Sequence, residues 1–214
     1  MKNRKNIILI CIICVSLLLF GYMAYNIKVG NSLAIDWDVY NYVVFHLRFN
    51  WVTNVLKVIT FLGSKGFYIP VVLVALLFMK DKKIAMAQIV NVGISACVMK
   101  VIKTIVKRPR PSMYNLITET GFSFPSGHAL NAVTFYGFII YVIYKKVENK
   151  PLRNSLIALL SILVIGIGYS RIYLGVHFTT DVLCGYLVGL VDIIVYIKFI
   201  YKRFFAGKHE NKKA

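Results

Sequence analysis

Long apolar runs alternate with short basic or polar breaks along this chain, and the spacing of the breaks predicts its elements. The first run, IILICIICVSLLLFGYMAY (7–25), matches the roughly 20 residues that one helical crossing of a bilayer requires. It follows the basic start MKNRK without a clear small-x-small cleavage site, so it reads as a retained span and not a secretory leader. Residues 33–64 are mixed and aromatic-rich, with Trp37 and Trp51, and predict one or two short helices at the interface or partly buried. GFYIPVVLVALLFM (66–79) is too short to cross alone and is expected to recruit part of 52–65 into a second span, which KDKK (80–83) ends. Further spans are expected over 84–106, 128–144, 155–172 and 180–201.

The pattern is that of an all-α, polytopic membrane protein with six transmembrane helices in one bundle. Residues 1–60 form the first span and an extracytoplasmic interfacial segment, 61–201 the core, and 202–214 a basic cytoplasmic tail. Composition agrees: 58% of the 214 residues are hydrophobic, above the 45–50% usual for soluble domains. Twenty-six Lys and Arg against eight Asp and Glu give a net charge of +18. These cations sit in clusters between apolar runs and form no stripe on a soluble nucleic-acid-binding fold, so no nucleic acid partner is expected. Lys2, Arg4, Lys5, the 80–83 and 145–153 loops and the tail fall on one side of a six-span count, which the positive-inside rule makes cytoplasmic. Both termini are then inside. Cys11 and Cys14 lie within the first apolar run and read as small apolar residues.

The outer side should be poor in cations, yet VIKTIVKRPRPSMYN (101–115) places Lys103, Lys107, Arg108 and Arg110 there. Either lipid headgroups or a bound anion would account for them. PSGH (125–128) and SRIYLGVHFTTD (170–181) reach the same face, so Lys103, Arg110, Ser126, Gly127, His128, Arg171, His177 and Asp181 converge there. This set suits phosphoryl transfer. Two arginines and a lysine match a phosphate in charge, and arginine adds bidentate geometry. Pro125-Ser126-Gly127 before a helix offers free N–H groups at a positive dipole end. His177 and Asp181, four residues apart, can share a helical face, so that the carboxylate holds one ring nitrogen and frees the other to attack. His128 can protonate a departing oxygen.

Three spaced motifs carry a family resemblance: Lys103 through Arg110-Pro111, Pro125 to His128, and Ser170-Arg171 with His177 and Asp181. The sequence resembles the type 2 phosphatidic acid phosphatases, the membrane lipid phosphatase branch of the vanadium haloperoxidase superfamily. A competing Arg108-Pro109 would need Lys at 101, which is Val. The resemblance spans about residues 60–201 and implies His177 as the nucleophile forming a phosphohistidine, Asp181 as its orienting partner and His128 as the general acid. It implies Lys103, Arg110, Ser126, Gly127 and Arg171 as phosphate ligands, with no metal and no cofactor. The expected partners are a phosphorylated membrane lipid and the bilayer, and the expected site is extracytoplasmic. Phosphatidylglycerophosphate, undecaprenyl diphosphate and phosphatidic acid all stay open as substrates. A non-catalytic anion-binding or transport protein is the alternative; a vanadate-dependent peroxidase is set aside because, by resemblance, those members are soluble.

The remaining polar residues receive simpler readings. Lys107 and Arg108 lie outside the motif and fit headgroup contact. Asp36, Asp38, His46 and Arg48 read as solvated. Thr179 or Thr180 is expected to cap the last span, and Asp192 within it to be paired or hydrated.

Overall fold

A computed structural model describes residues 2–31 and 33–206; the tail beyond residue 206 lies outside the described residues. Among the described residues all regular structure is helical. Helix α1 (Lys2–Lys28) is followed by two short helices, α2 (Ala34–His46) and α3 (Asn50–Leu62). Then come α4 (Lys65–Phe78), α5 (Lys82–Val106), α6 (Gly127–Lys146), α7 (Lys150–Tyr173) and α8 (Thr179–Val195). The last continues as wider, π-type turns through Tyr196–Phe205.

Five helices are long and apolar enough to cross a membrane singly. Helices α3 and α4, bent by 49° at their junction, pass the same test of length and apolarity only as a pair, in line with the expected recruitment of 52–65 by the short run after it. The outward faces are apolar. Leu18, Leu77 and Ile162 are 73%, 73% and 67% exposed, as a hydrocarbon surround permits and water does not.

Helices α6 and α8 approach each other closely. A side chain on Gly185 would place its Cβ 2.7 Å from the Ser126 carbonyl oxygen, and one on Gly189 would lie 2.9 Å from that of Leu130. This small-xxx-small spacing lets two backbones meet inside the membrane. A polar ladder joins α5 to α6. Asn91 donates to the Thr134 carbonyl at 2.8 Å, Gln88 to that of Phe135 at 3.2 Å, and Ser95 to Asn131 Oδ1 at 3.1 Å. Such bonds hold helices together where apolar burial alone gives no preference over lipid. Asp192 Oδ2 is buried without a side-chain or backbone hydrogen-bond partner among the described residues.

Candidate active site

Helix α5 ends when Lys107 enters the left-handed region at φ 54°. Pro109 and Pro111, which lack the N–H that a helix needs, then carry the chain across one end of the bundle. The segment returns at Ser126, which caps α6: its Oγ accepts from the Ala129 N–H, and its own N–H donates to the Asp181 carbonyl at 2.9 Å. The PSGH turn is thereby tied to the first turn of α8. Gly127 also faces α5, where a Cβ would fall 2.4 Å from Met99 Sδ.

These elements enclose a cavity of about 280 Å³ lined by Lys103, Arg110, Gly127, His128 and His177. Five of the eight residues singled out from the sequence therefore meet in one space. The other three stand just behind it: Ser126 as the cap, Asp181 behind His177, and Arg171 beneath Glu119. The cavity wall also includes Gly63, Lys65, Glu119, Thr120 and Asn131, which no motif marks.

His177 is 1% exposed, and both its ring nitrogens face polar groups. Arg110 Nη1 lies 3.0 Å from Nε2. A guanidinium can only donate, so Nε2 is the acceptor and the proton sits on Nδ1. Nδ1 lies 3.4 Å from Asp181 Oδ2 and 3.2 Å from Ser123 Oγ, which itself donates to that same Oδ2. Asp181 Oδ2 further accepts the Phe178 N–H at 2.9 Å: Phe178, and not Thr179 or Thr180 as expected, stands at the cap of α8, and Asp181 reaches back to it from the third helical position. Thr180 instead donates to Asp36. Burial pushes the His177 imidazole down to about 4, against the opposing pull of Asp181.

Arg110 spreads its remaining donors over the carbonyls of Gly121, Val176 and Thr120. Burial depresses its pKa, with Glu119 and Asp181 countering. Arg171 donates to Thr60 Oγ1 at 2.6 Å and to Glu119 Oε1. Lys103 Nζ reaches the Phe122 carbonyl. Among the described residues, no three His, Cys, Asp or Glu side chains converge where they could hold a metal ion.

A family model described as the PAP2 superfamily matches residues 84–205. The chain belongs to this superfamily. Phosphatidylglycerophosphatase B of Bacillus subtilis (strain 168) is 32% identical over 149 residues, covering 68% of this chain and 73% of that protein. Undecaprenyl-diphosphatase of Sulfolobus acidocaldarius is 26% identical over 185 residues, 81% of this chain and 84% of the relative. The crystal structure of a transmembrane PAP2 type phosphatidylglycerolphosphate phosphatase from Bacillus subtilis superposes with a TM-score of 0.80 at 29% identity, covering 90% of this chain and 98% of that one. This PAP2 protein is accordingly an enzyme, a membrane lipid phosphatase, and the reading as a non-catalytic carrier is set aside.

Three expectations for this PAP2 chain need correction. Arg108 is no headgroup ligand: it is 8% exposed and bridges Asp181 Oδ1 at 2.8 Å and Asp36 Oδ2 at 2.7 Å. Burial works to lower its pKa, and the two carboxylates outweigh burial and raise it. Asp36 is fully buried, not solvated. Arg48 donates to the carbonyls of Tyr173 and Tyr114, fastening α2 to the loop beside the site. Asp38 and His46 are exposed, as expected. Ser123 and Thr60 escaped notice because a lone Ser or Thr carries no signal until the fold sets it against a charged group.

Proposed function

We propose that this PAP2 enzyme hydrolyses the terminal phosphate of a lipid mono- or diphosphate through a phosphohistidine intermediate, at a site facing the extracytoplasmic side. The observation that carries the reading is His177 Nε2: a proton-free nitrogen at the cavity wall, with a carboxylate behind the ring and an arginine in front. A phosphoryl group that takes over the Arg110 donor lies against this nitrogen. Nε2 then attacks phosphorus, and the bond from phosphorus to the lipid oxygen breaks. His128, at the N-terminal turn of α6, gives its proton to that oxygen. Water next attacks the phosphohistidine, returning a proton to His128 and freeing inorganic phosphate. Asp181 supports the positive charge that the ring gains in between.

Lys103, Arg110 and Arg171 supply positive charge for the equatorial oxygens, whose charge the transition state spreads. The N-terminal turn of α6 adds the Gly127 N–H at the positive end of the helix. The lipid class is supported by the apolar surround and by the relatives, which are named for phosphatidylglycerophosphate and undecaprenyl diphosphate. Sidedness is supported by the basic clusters at the opposite bundle end, where Lys146 pairs with Asp81 at 3.0 Å. Phosphate release from phosphatidylglycerophosphate, undecaprenyl diphosphate and phosphatidic acid in detergent tests the reading, wild type beside His177→Ala. Turnover of at least one lipid, absent in the variant, is expected. A variant at near wild-type rate refutes the mechanism.

A further inference from the structure

The buried chain from Asp36 through Arg108 to Asp181 has no part in the steps above, although it ends on the carboxylate behind the nucleophile. Asp36 belongs to α2, outside the residues matched by the family model. Its position there follows from spacing: Asp36, Tyr40, Val43 and Val44 are the buried residues of α2, an i, i+4, i+7, i+8 face. Both oxygens of this carboxylate are held. Oδ2 takes Arg108 Nη2 at 2.7 Å and Thr180 Oγ1 at 2.8 Å, and Oδ1 takes the Thr180 N–H at 2.8 Å. Arg108 Nη1 then reaches Asp181 Oδ1 at 2.8 Å. The guanidinium lies 4.3 Å from the centre of the Phe178 ring, whose edge contacts Trp37 of α2.

Charge decides what this arrangement does. Arg108 alone beside Asp181 would neutralise it, leaving no net negative charge to meet the cation that forms on His177. With Asp36 on its far side, the buried cluster carries two negative charges against one positive, and the excess is available to His177. Asp36 also holds Arg108 in place, so that Asp181 Oδ2 stays directed to Ser123, Phe178 and His177 and is not drawn into a fork with the guanidinium.

We propose that Asp36 is a positioning residue for the His177–Asp181 pair, acting through Arg108, and that α2 is therefore part of the catalytic apparatus. The proposal rests on His177 being the nucleophile. It predicts a divided outcome, because Asp36 reaches the nucleophile's support and touches none of Lys103, Arg110 or Arg171. The test is Asp36→Asn in the full chain, which keeps shape and an acceptor for the Thr180 N–H. The readouts are kcat, KM and inhibition by inorganic phosphate, with His177→Ala in parallel. The kcat is expected to fall about 10- to 100-fold, as for a misplaced reacting group, with KM and phosphate inhibition within about twofold. A merely structural role would weaken phosphate inhibition along with kcat, and that result overturns the proposal, as does an unchanged kcat. Activity surviving in His177→Ala would instead remove the reading beneath it. Should Asp36→Asn fail to fold, Arg108→Lys, which keeps the cation but cannot span both carboxylates, cuts the same link and is judged by the same division.

Discussion

Glu119 occupies the place between two guanidinium groups that the proposed function assigns to phosphate, and it lends itself to a direct test. Its Oε1 accepts from Arg171 Nη2, and its Oε2 lies 4.0 Å from Arg110 Nη2. An entering phosphoryl group must take these donors over, so the carboxylate acts as a resident competitor. Glu119→Gln keeps the size and removes the charge. A hydrogen bond to a charged group contributes about 1.5–3 kcal/mol. The glutamine oxygen recovers part of that, and Glu119 is 27% exposed, which screens it further. A net gain of about 1.4 kcal/mol remains, equivalent to about tenfold tighter anion binding. The assay is inhibition of phosphate release by vanadate, which adopts the geometry of the transferring group, and by orthophosphate, in purified protein with an unchanged thermal midpoint. Both inhibition constants are expected to fall about tenfold. Constants that stay equal or rise would show that Glu119 orders the arginines for phosphate and does not compete with it.

Three further outcomes follow from the same site. In the proposed site Lys103, Arg110 and Arg171 supply the positive charge, so phosphate release is expected to persist in excess chelator, and Arg171→Ala to weaken vanadate inhibition; loss of activity reversed by a divalent ion would refute this. Burial holds the His177 imidazole at about 4, below the ordinary histidine range, so it stays neutral as pH falls through 6.5 and gains its proton only near 4. Titration of 15N-histidine resonances, with His177 identified by their loss in His177→Ala, checks that value. In a cysteine-free background, Ser112→Cys is expected to react with an impermeant thiol reagent on intact cells and Glu148→Cys only after permeabilisation; the reverse pattern inverts the orientation.

The spans and the motif residues were legible in the sequence because each rests on local spacing. Hydrophobic run length located the five long apolar helices and the bent α3–α4 pair. His177 and Asp181 sit four apart, and Lys103 and Arg110 bracket a helix end. What was not legible is held by contacts distant in sequence. Asp36 is 145 positions from Asp181, and Thr60 meets Arg171 across 111. Arg108 was read as a headgroup ligand because an unassigned arginine beside a membrane is by default exposed. Only the fold brings two carboxylates to it. One signal was available: Asp36 falls on the apolar face of its own helix, in phase with Tyr40, Val43 and Val44. A carboxylate at such a position is costly unless it is paired, so its presence there announces a buried cation elsewhere in the chain.

The contact between α6 and α8 has a consequence for redesign. Ser126, Leu130, Gly185 and Gly189 meet backbone to side chain position, with no space for even a methyl group. The half of the cavity carrying His128 and His177 is thus cast in one piece, and substitutions there disturb the alignment of the reacting groups before they alter preference. The facing half is built differently: Lys65 follows the bend between α3 and α4, and Phe122 belongs to an exposed connection. Libraries aimed at new phosphorylated lipids are best confined to that half, where side chains can be exchanged while the chemistry opposite keeps its shape.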